Sequence, residues 1–175
     1  MMRLFIAINF NDEIRKLLSK AADELKNLSV SGSFTRPENL HLTLIFIGET
    51  DRLSDIKHCL DIVECPPFKI AVGGAYGCFG TTLWAGVKAD EELNFLVKTL
   101  RRALLEKGFK IDERRFKPHV TLARSTSDCS AAEMSLSSAA MAVNSISLMK
   151  SERINGLLTY TDIYKRHLNG AARQT

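Results

Sequence analysis

The sequence predicts a duplicated α+β architecture, and three observations carry that expectation. Strand-like and helix-like segments alternate in two rounds. Each round holds one long amphipathic helix, and each holds a strand-like run with the same short pattern, His41-Leu42-Thr43-Leu44 in the first and His119-Val120-Thr121-Leu122 in the second. One domain over residues 1–165 accommodates both rounds, and 166–175 reads as a polar tail.

Along the chain, Arg3 to Phe10 is apolar on both faces, as expected of a strand covered on both sides. Asn11-Asp12 can cap the helix that follows, in which Ile14, Leu17, Leu18, Ala21, Leu25 and Leu28 recur at helical spacing. A turn near Ser31-Gly32-Ser33 leads past Pro37 to a strand over Leu40 to Ile47, and a shorter helix covers Leu53 to Val63. Strands are expected at Phe68 to Val72 and Leu83 to Val87, joined by a glycine-rich turn at Gly73, Gly74, Gly77 and Gly80. A second long helix buries Leu93, Leu96, Val97, Leu100 and Leu104, with Gly108 at its end. Val120 to Ala123 forms the next strand, Ser125 to Ala140 a loop with a short helix, and Val143 to Met149 pairs with Leu158 to Tyr164 across Asn155-Gly156.

Composition bounds the function without naming it. In 175 residues, 45% are apolar and 25% charged, the signature of a soluble globular chain; a net charge of +4 without long basic runs suits an anionic ligand and equally a solvated surface. Cys59, Cys65, Cys78 and Cys129 have no CxxC or zinc spacing and read as buried free thiols of a reducing compartment. The apolar stretch Leu4 to Ile8 is too short for a leader or a membrane span, so a cytoplasmic monomer without membrane contact is expected.

The paired motif carries the chemistry. In a strand, residues two apart share a face, so His41 with Thr43, and His119 with Thr121, each present an imidazole beside a hydroxyl while the aliphatic neighbours enter the core. Two such faces opposed would surround a small anion with an acid, a base and two hydroxyl donors. Histidine suits both proton transfers because its ordinary pKa, near 6.5, lies close to neutrality. A lone His-x-Thr is usually a packed or surface position, so the weight rests on the repetition: two of four histidines occupy matching motifs. No HExxH, Cys/His set or carboxylate cluster accompanies them, and the glycines at 73–80 match neither GxxxxGK[ST] nor GxGxxG.

With these motifs the chain resembles the 2H phosphoesterase superfamily, and within it the LigT-like RNA 2′,3′-cyclic phosphodiesterases. The resemblance runs through Arg3-Leu4-Phe5-Ile6-Ala7-Ile8, the segment Arg36 to Leu44 closing at Gly48-Glu49, Leu83-Trp84-Ala85-Gly86-Val87, and Phe116 to Arg124. It implies a bilobal α+β fold with two antiparallel sheets flanking a central cleft and helices outside. It also implies metal-independent hydrolysis of RNA or oligonucleotide 2′,3′-cyclic phosphate ends to a 2′-phosphate without a cofactor. By the same resemblance His41 is the proton donor and His119 the proton acceptor, and a weak 2′-5′ joining of RNA ends accompanies hydrolysis. Ile45 takes a cleft-side position that relatives often fill with a basic residue, and Met149 and Leu157 replace a tyrosine and a proline.

Thr43 and Thr121 are the expected phosphate-binding residues. Arg124 is a further phosphate candidate through its bidentate guanidinium, although strict alternation puts it opposite His119 unless the strand bulges. Tyr76, Phe79 and Trp84 are candidates for base stacking or for the core, and alternation sends Phe46 to the core. Two readings compete: a phosphoesterase acting on a small cyclic nucleotide or a 2′,5′-oligoadenylate, and a nucleotide-binding module without turnover.

Overall fold

The first strand, β1 (Met2–Asn9), buries both faces, and this places it inside a sheet. In the computed structural model, which describes residues 1–170 other than 29, 89, 113 and 127–133, Leu4, Ile6 and Ile8 enter the main core while Phe5 and Ala7 join Met149 and Tyr160 in a smaller cluster. β1 pairs on one side with β3 (His41–Thr50) and on the other with β8 (Ser145–Ile154), which pairs with β9 (Leu157–His167). The resulting sheet has the antiparallel order β3-β1-β8-β9. A second antiparallel sheet has the order β2-β6-β5-β4-β7, from β2 (Ser33–Phe34), β4 (Phe68–Phe79), β5 (Thr82–Lys88), β6 (His119–Arg124) and β7 (Ser135–Val143). The motif strands β3 and β6 approach each other where the two sheets meet.

Among the described residues, three α-helices tie the sheets together. In α1 (Asp12–Asn27) the Asn11 side chain accepts the Ile14 N–H at 3.0 Å, a cap worth about 1 kcal/mol, and Asp12 and Glu13 favour the same helix end. α1 follows a strand of the first sheet yet packs against β6 and β7 of the second, whereas α3 (Glu91–Glu106) follows β5 and touches β3 and β4. Each long helix thus reaches the other half's sheet, and one continuous core runs through both. α2 (Leu53–Asp61) packs on α3 and β9.

The final hairpin turns at Asn155-Gly156 as expected, with φ of 50° and 79°, the positive values that a two-residue turn matched to strand twist requires. Elsewhere the structure corrects the sequence reading. The glycines at 73–77 are not a turn: β4 runs through them, and the reversal falls at Gly80-Thr81. Gly77 faces Trp84 across β4 and β5, and a Cβ there would lie 2.1 Å from the indole, so the missing side chain makes room for the ring. Residues 135–140 belong to β7, not to a short helix, because they pair with β4. The expected tail starts late, since β9 continues to His167 and Leu168 is buried. Cys59 and Cys65 are buried thiols outside any disulfide, but Cys78 is disulfide-bonded, contrary to the expectation of free thiols; Cys129 lies outside the described residues.

The corrections that matter most for the cleft come from two β-bulges. On β3 the register against β1 skips Leu44, and on β6 the register against β5 skips Leu122. An extra residue breaks the alternation, so Leu44 with Ile45, and Leu122 with Ala123, are consecutive buried pairs. Ile45 is therefore a core residue, 5% exposed, and not a cleft position. Phe46, expected in the core, is 47% exposed. In both motifs the fifth residue after the histidine has been returned to the histidine's face: Phe46 in the first half, Arg124 in the second.

Candidate active site

Each motif histidine is fixed by its own strand entry. The His41 Nδ1 lies 2.7 Å from the carbonyl of Asn39, and the His119 Nδ1 lies 2.7 Å from the carbonyl of Lys117. A carbonyl only accepts, so Nδ1 carries a proton in both rings and Nε2 is the atom left for proton exchange. The His41 Nε2 lies 2.9 Å from the Thr43 hydroxyl. Both rings are also walled by aromatics. His41 packs at 4.9 Å from Phe5 and 5.1 Å from Tyr160; His119 packs at 5.0 Å from Phe79 and 6.1 Å from Trp84. Asn39 does double duty, since its amide donates to the Leu158 carbonyl at 2.9 Å and ties the C-terminal hairpin to the motif.

A cleft of about 430 Å³ holds His41, Thr43, His119, Thr121 and Arg124 together, with Tyr160 and Arg153 on its C-terminal wall. The bulge at Leu122 answers the question alternation left open for Arg124, whose guanidinium lies on the cleft side near enough to His41 to act on its charge. The His41 pKa is lowered, chiefly because burial disfavours the imidazolium; the Asn39 carbonyl opposes this, and the positive Arg124 and His119 add to it. Histidines, hydroxyls and a guanidinium around one polar space suit a phosphate whose oxygens exchange protons. Among the described residues no group of three His, Cys, Asp or Glu side chains is placed to hold a metal ion. No described helix is long and apolar enough to cross a membrane.

Of the expected stacking residues, Phe79 and Trp84 lie against the His119 ring. Tyr76 does not reach the cleft. It is 4% exposed in the main core, its hydroxyl pKa raised by burial and by nearby Glu24, because alternation along β4 puts it on the same face as the buried Ile70 and Val72. The walls Phe5 and Tyr160 were not singled out as partners of His41. Phe5 carries a signal in hindsight: a strand apolar on both faces needs something to cover its second face, and here that cover is the cleft floor.

This fold and this cleft define a class. A sequence model of the 2'-5' RNA ligase superfamily matches residues 11–155, and the chain belongs to that family. Among its relatives, an RNA 2',3'-cyclic phosphodiesterase of Archaeoglobus fulgidus is 37% identical over 130 residues, covering 70% of this chain and 72% of the relative. One of the same name from Thermotoga maritima is 35% identical over 132 residues, covering 70% of each. Among solved structures, E. coli LigT complexed with 3'-AMP is similar with a TM-score of 0.83 and 25% identity, over 97% of this chain and 98% of that one. A Thermus thermophilus protein, TT0787, gives a TM-score of 0.85 and 27% identity, over 98% of this chain and all of that one.

Proposed function

We propose that the chain is an RNA 2′,3′-cyclic phosphodiesterase that opens the cyclic phosphate to a 2′-phosphate by two-histidine acid-base catalysis without a metal. The observation that carries the reading is the pairing of two identically held imidazoles across one cleft with Thr43, Thr121 and Arg124. The names of the relatives, both RNA 2',3'-cyclic phosphodiesterases at 35% and 37% identity, support the same activity.

The neutral Nε2 of His119 takes a proton from water as the water oxygen bonds to phosphorus. The protonated Nε2 of His41 gives its proton to the departing 3′ oxygen, leaving the phosphate on the 2′ oxygen. Thr43, Thr121 and Arg124 hold the non-bridging oxygens as charge grows on them. Burial disfavours the protonated form of His41, and an anionic phosphate beside it favours that form, so substrate binding and the readiness of the acid reinforce each other. With an RNA 5′-hydroxyl in place of water, the same displacement leaves a 2′-5′ linkage, so a weak joining activity accompanies hydrolysis. Residues Phe79 and Trp84 steady the His119 ring and offer an exposed aromatic edge to the terminal base.

The test is hydrolysis of a nucleoside 2′,3′-cyclic phosphate and of a short RNA bearing that end, in excess chelator. Turnover to the 2′-phosphate is expected on both. Folded protein that binds but never turns over either substrate would move the reading to a binding module. The pH dependence follows from His41. One proton must be shared by the pair, so kcat/KM is bell-shaped. His41 is the group whose pKa is lowered, so it keeps the second proton only at low pH, and the acid limb falls below the ordinary imidazole value of 6.5. A Tyr160→Ala substitution opens the ring to water and moves that limb toward 6.5; an unmoved limb contradicts the assignment.

A further inference from the structure

Beyond the cleft that holds the reacting phosphate, a second groove of about 650 Å³ opens from between Thr43 and His119, and its lining is of a different kind. Phe46, Phe79 and Phe116 supply aromatic surface, and Arg101, Arg115 and Lys117 supply positive charge. Asp112 and Arg114 also line the groove but are spent on each other, with Arg114 holding the Asp112 carboxyl down at about 2, and Arg102 nearby pairs with Glu106 at 3.9 Å. Arg101, Arg115 and Lys117 have no carboxylate within ion-pair distance among the described residues, and the buried Nε of Arg101 has no hydrogen-bond partner there. Lys117 sits 5.7 Å over the Phe79 ring, which leaves its ammonium facing the groove's aromatic wall. The bulge on β3 is what brings Phe46 to this surface.

We propose that this groove binds the single-stranded RNA lying 5′ of the reacting end, with Arg101, Arg115 and Lys117 on backbone phosphates and Phe46 under a base. This rests on the functional reading above, which requires the cyclic phosphate at the 3′ end and therefore lets the substrate continue only in the 5′ direction. Unpaired cations interleaved with aromatic rings are what a flexible, unpaired strand needs, since every base has a stacking face and every linkage a negative charge. The groove adds nothing for a mononucleoside substrate, which has no upstream phosphate.

Two measurements test it together. Fluorescence anisotropy of a 5′-labelled tetraribonucleotide ending in a 2′-phosphate reads the groove without turnover, and hydrolysis of a nucleoside 2′,3′-cyclic phosphate reads the reaction centre. The Arg101→Ala/Arg115→Ala variant weakens tetranucleotide binding at least tenfold at low salt. It also lowers the slope of log affinity against log salt by about 0.7 for each cation removed. Hydrolysis of the mononucleoside substrate stays within twofold. Phe46→Ala weakens binding about 5- to 100-fold, with the slope unchanged, as loss of stacking without loss of charge must. Arg115→Glu, a single change at an exposed position, provides a variant whose folding is not in question and repeats the loss of affinity.

Unchanged tetranucleotide affinity and slope in the arginine variants overturns the proposal, even if mononucleoside turnover is intact. Equal losses on both substrates overturn it too, because they place the cations in the reaction centre. Absent mononucleoside turnover in the unmodified protein, with groove binding retained, counts against the enzymatic reading alone.

Discussion

Replacing His41 or His119 with alanine lowers kcat for 2′,3′-cyclic phosphate hydrolysis by about 10² to 10⁴, the range of one positioned proton transfer. The double variant falls little below the worse single variant, because in the proposed mechanism acid and base act in the same displacement and losing either one already abolishes the concerted path. The geometry argues for comparable losses. Both rings are held by a carbonyl two residues upstream and by a pair of aromatic walls, so neither histidine has a rotamer that lets water take over its position cheaply. Steady-state rates on a chemistry-limited substrate, with thermal unfolding as a control, provide the check. His41→Ala empties a space between Phe5 and Tyr160 and lowers stability as well, whereas His119 is the more open of the two; a variant that keeps more than a tenth of kcat at either position contradicts the paired mechanism.

Gly73→Ala produces the largest expected loss of stability outside the core. Gly73 has φ of 105°, and a Cβ there would lie 2.1 Å from the Ser137 carbonyl oxygen and 3.0 Å from the Ser138 Cα. Those are backbone atoms of the paired strand β7, which cannot swing aside as a side chain does. Overpacking costs about 1–3 kcal/mol and the disfavoured φ about 1–3 kcal/mol more. A domain of this size loses about 2–4 °C of Tm per kcal/mol, so a drop of roughly 4–24 °C is expected. The neighbouring Gly74→Ala separates the two causes. Its φ is 84°, but an added Cβ meets nothing within 4 Å, so it bears the backbone cost alone and shifts Tm less. Equal shifts at both positions would mean that the approach of β7 contributes nothing.

What was legible in the sequence is what period and repetition record. The two His-x-Thr patterns, the amphipathic stripes of α1 and α3, the two-sided burial of β1 and the Asn155-Gly156 hairpin are properties of neighbouring residues, and the structure has all four. A face shared by His41 and Thr43 needs only two residues of extended chain. The fold class follows from the same local patterns taken in order.

The rest was decided by pairing between strands far apart in sequence. Nothing in Leu44-Ile45 or Leu122-Ala123 announces a bulge, because whether an extra residue is accommodated depends on the register that β1 and β5 impose from across the sheet. That one residue in each half sends Ile45 inward and turns Phe46 to the adjoining groove and Arg124 to the cleft. Similarly, the glycines read as a turn are a strand because β5 and β7 supply partners on both sides, and Gly77 is small because Trp84 lies across from it. The lowered pKa of His41 is equally a tertiary result, since the burial that causes it comes from Phe5 and Tyr160, brought from opposite ends of the chain. By itself the sequence determined that two imidazoles stand beside hydroxyls in matching motifs, and on which strands. Only the tertiary structure determined which side chains surround them, because strand register is a long-range constraint and alternation a local one.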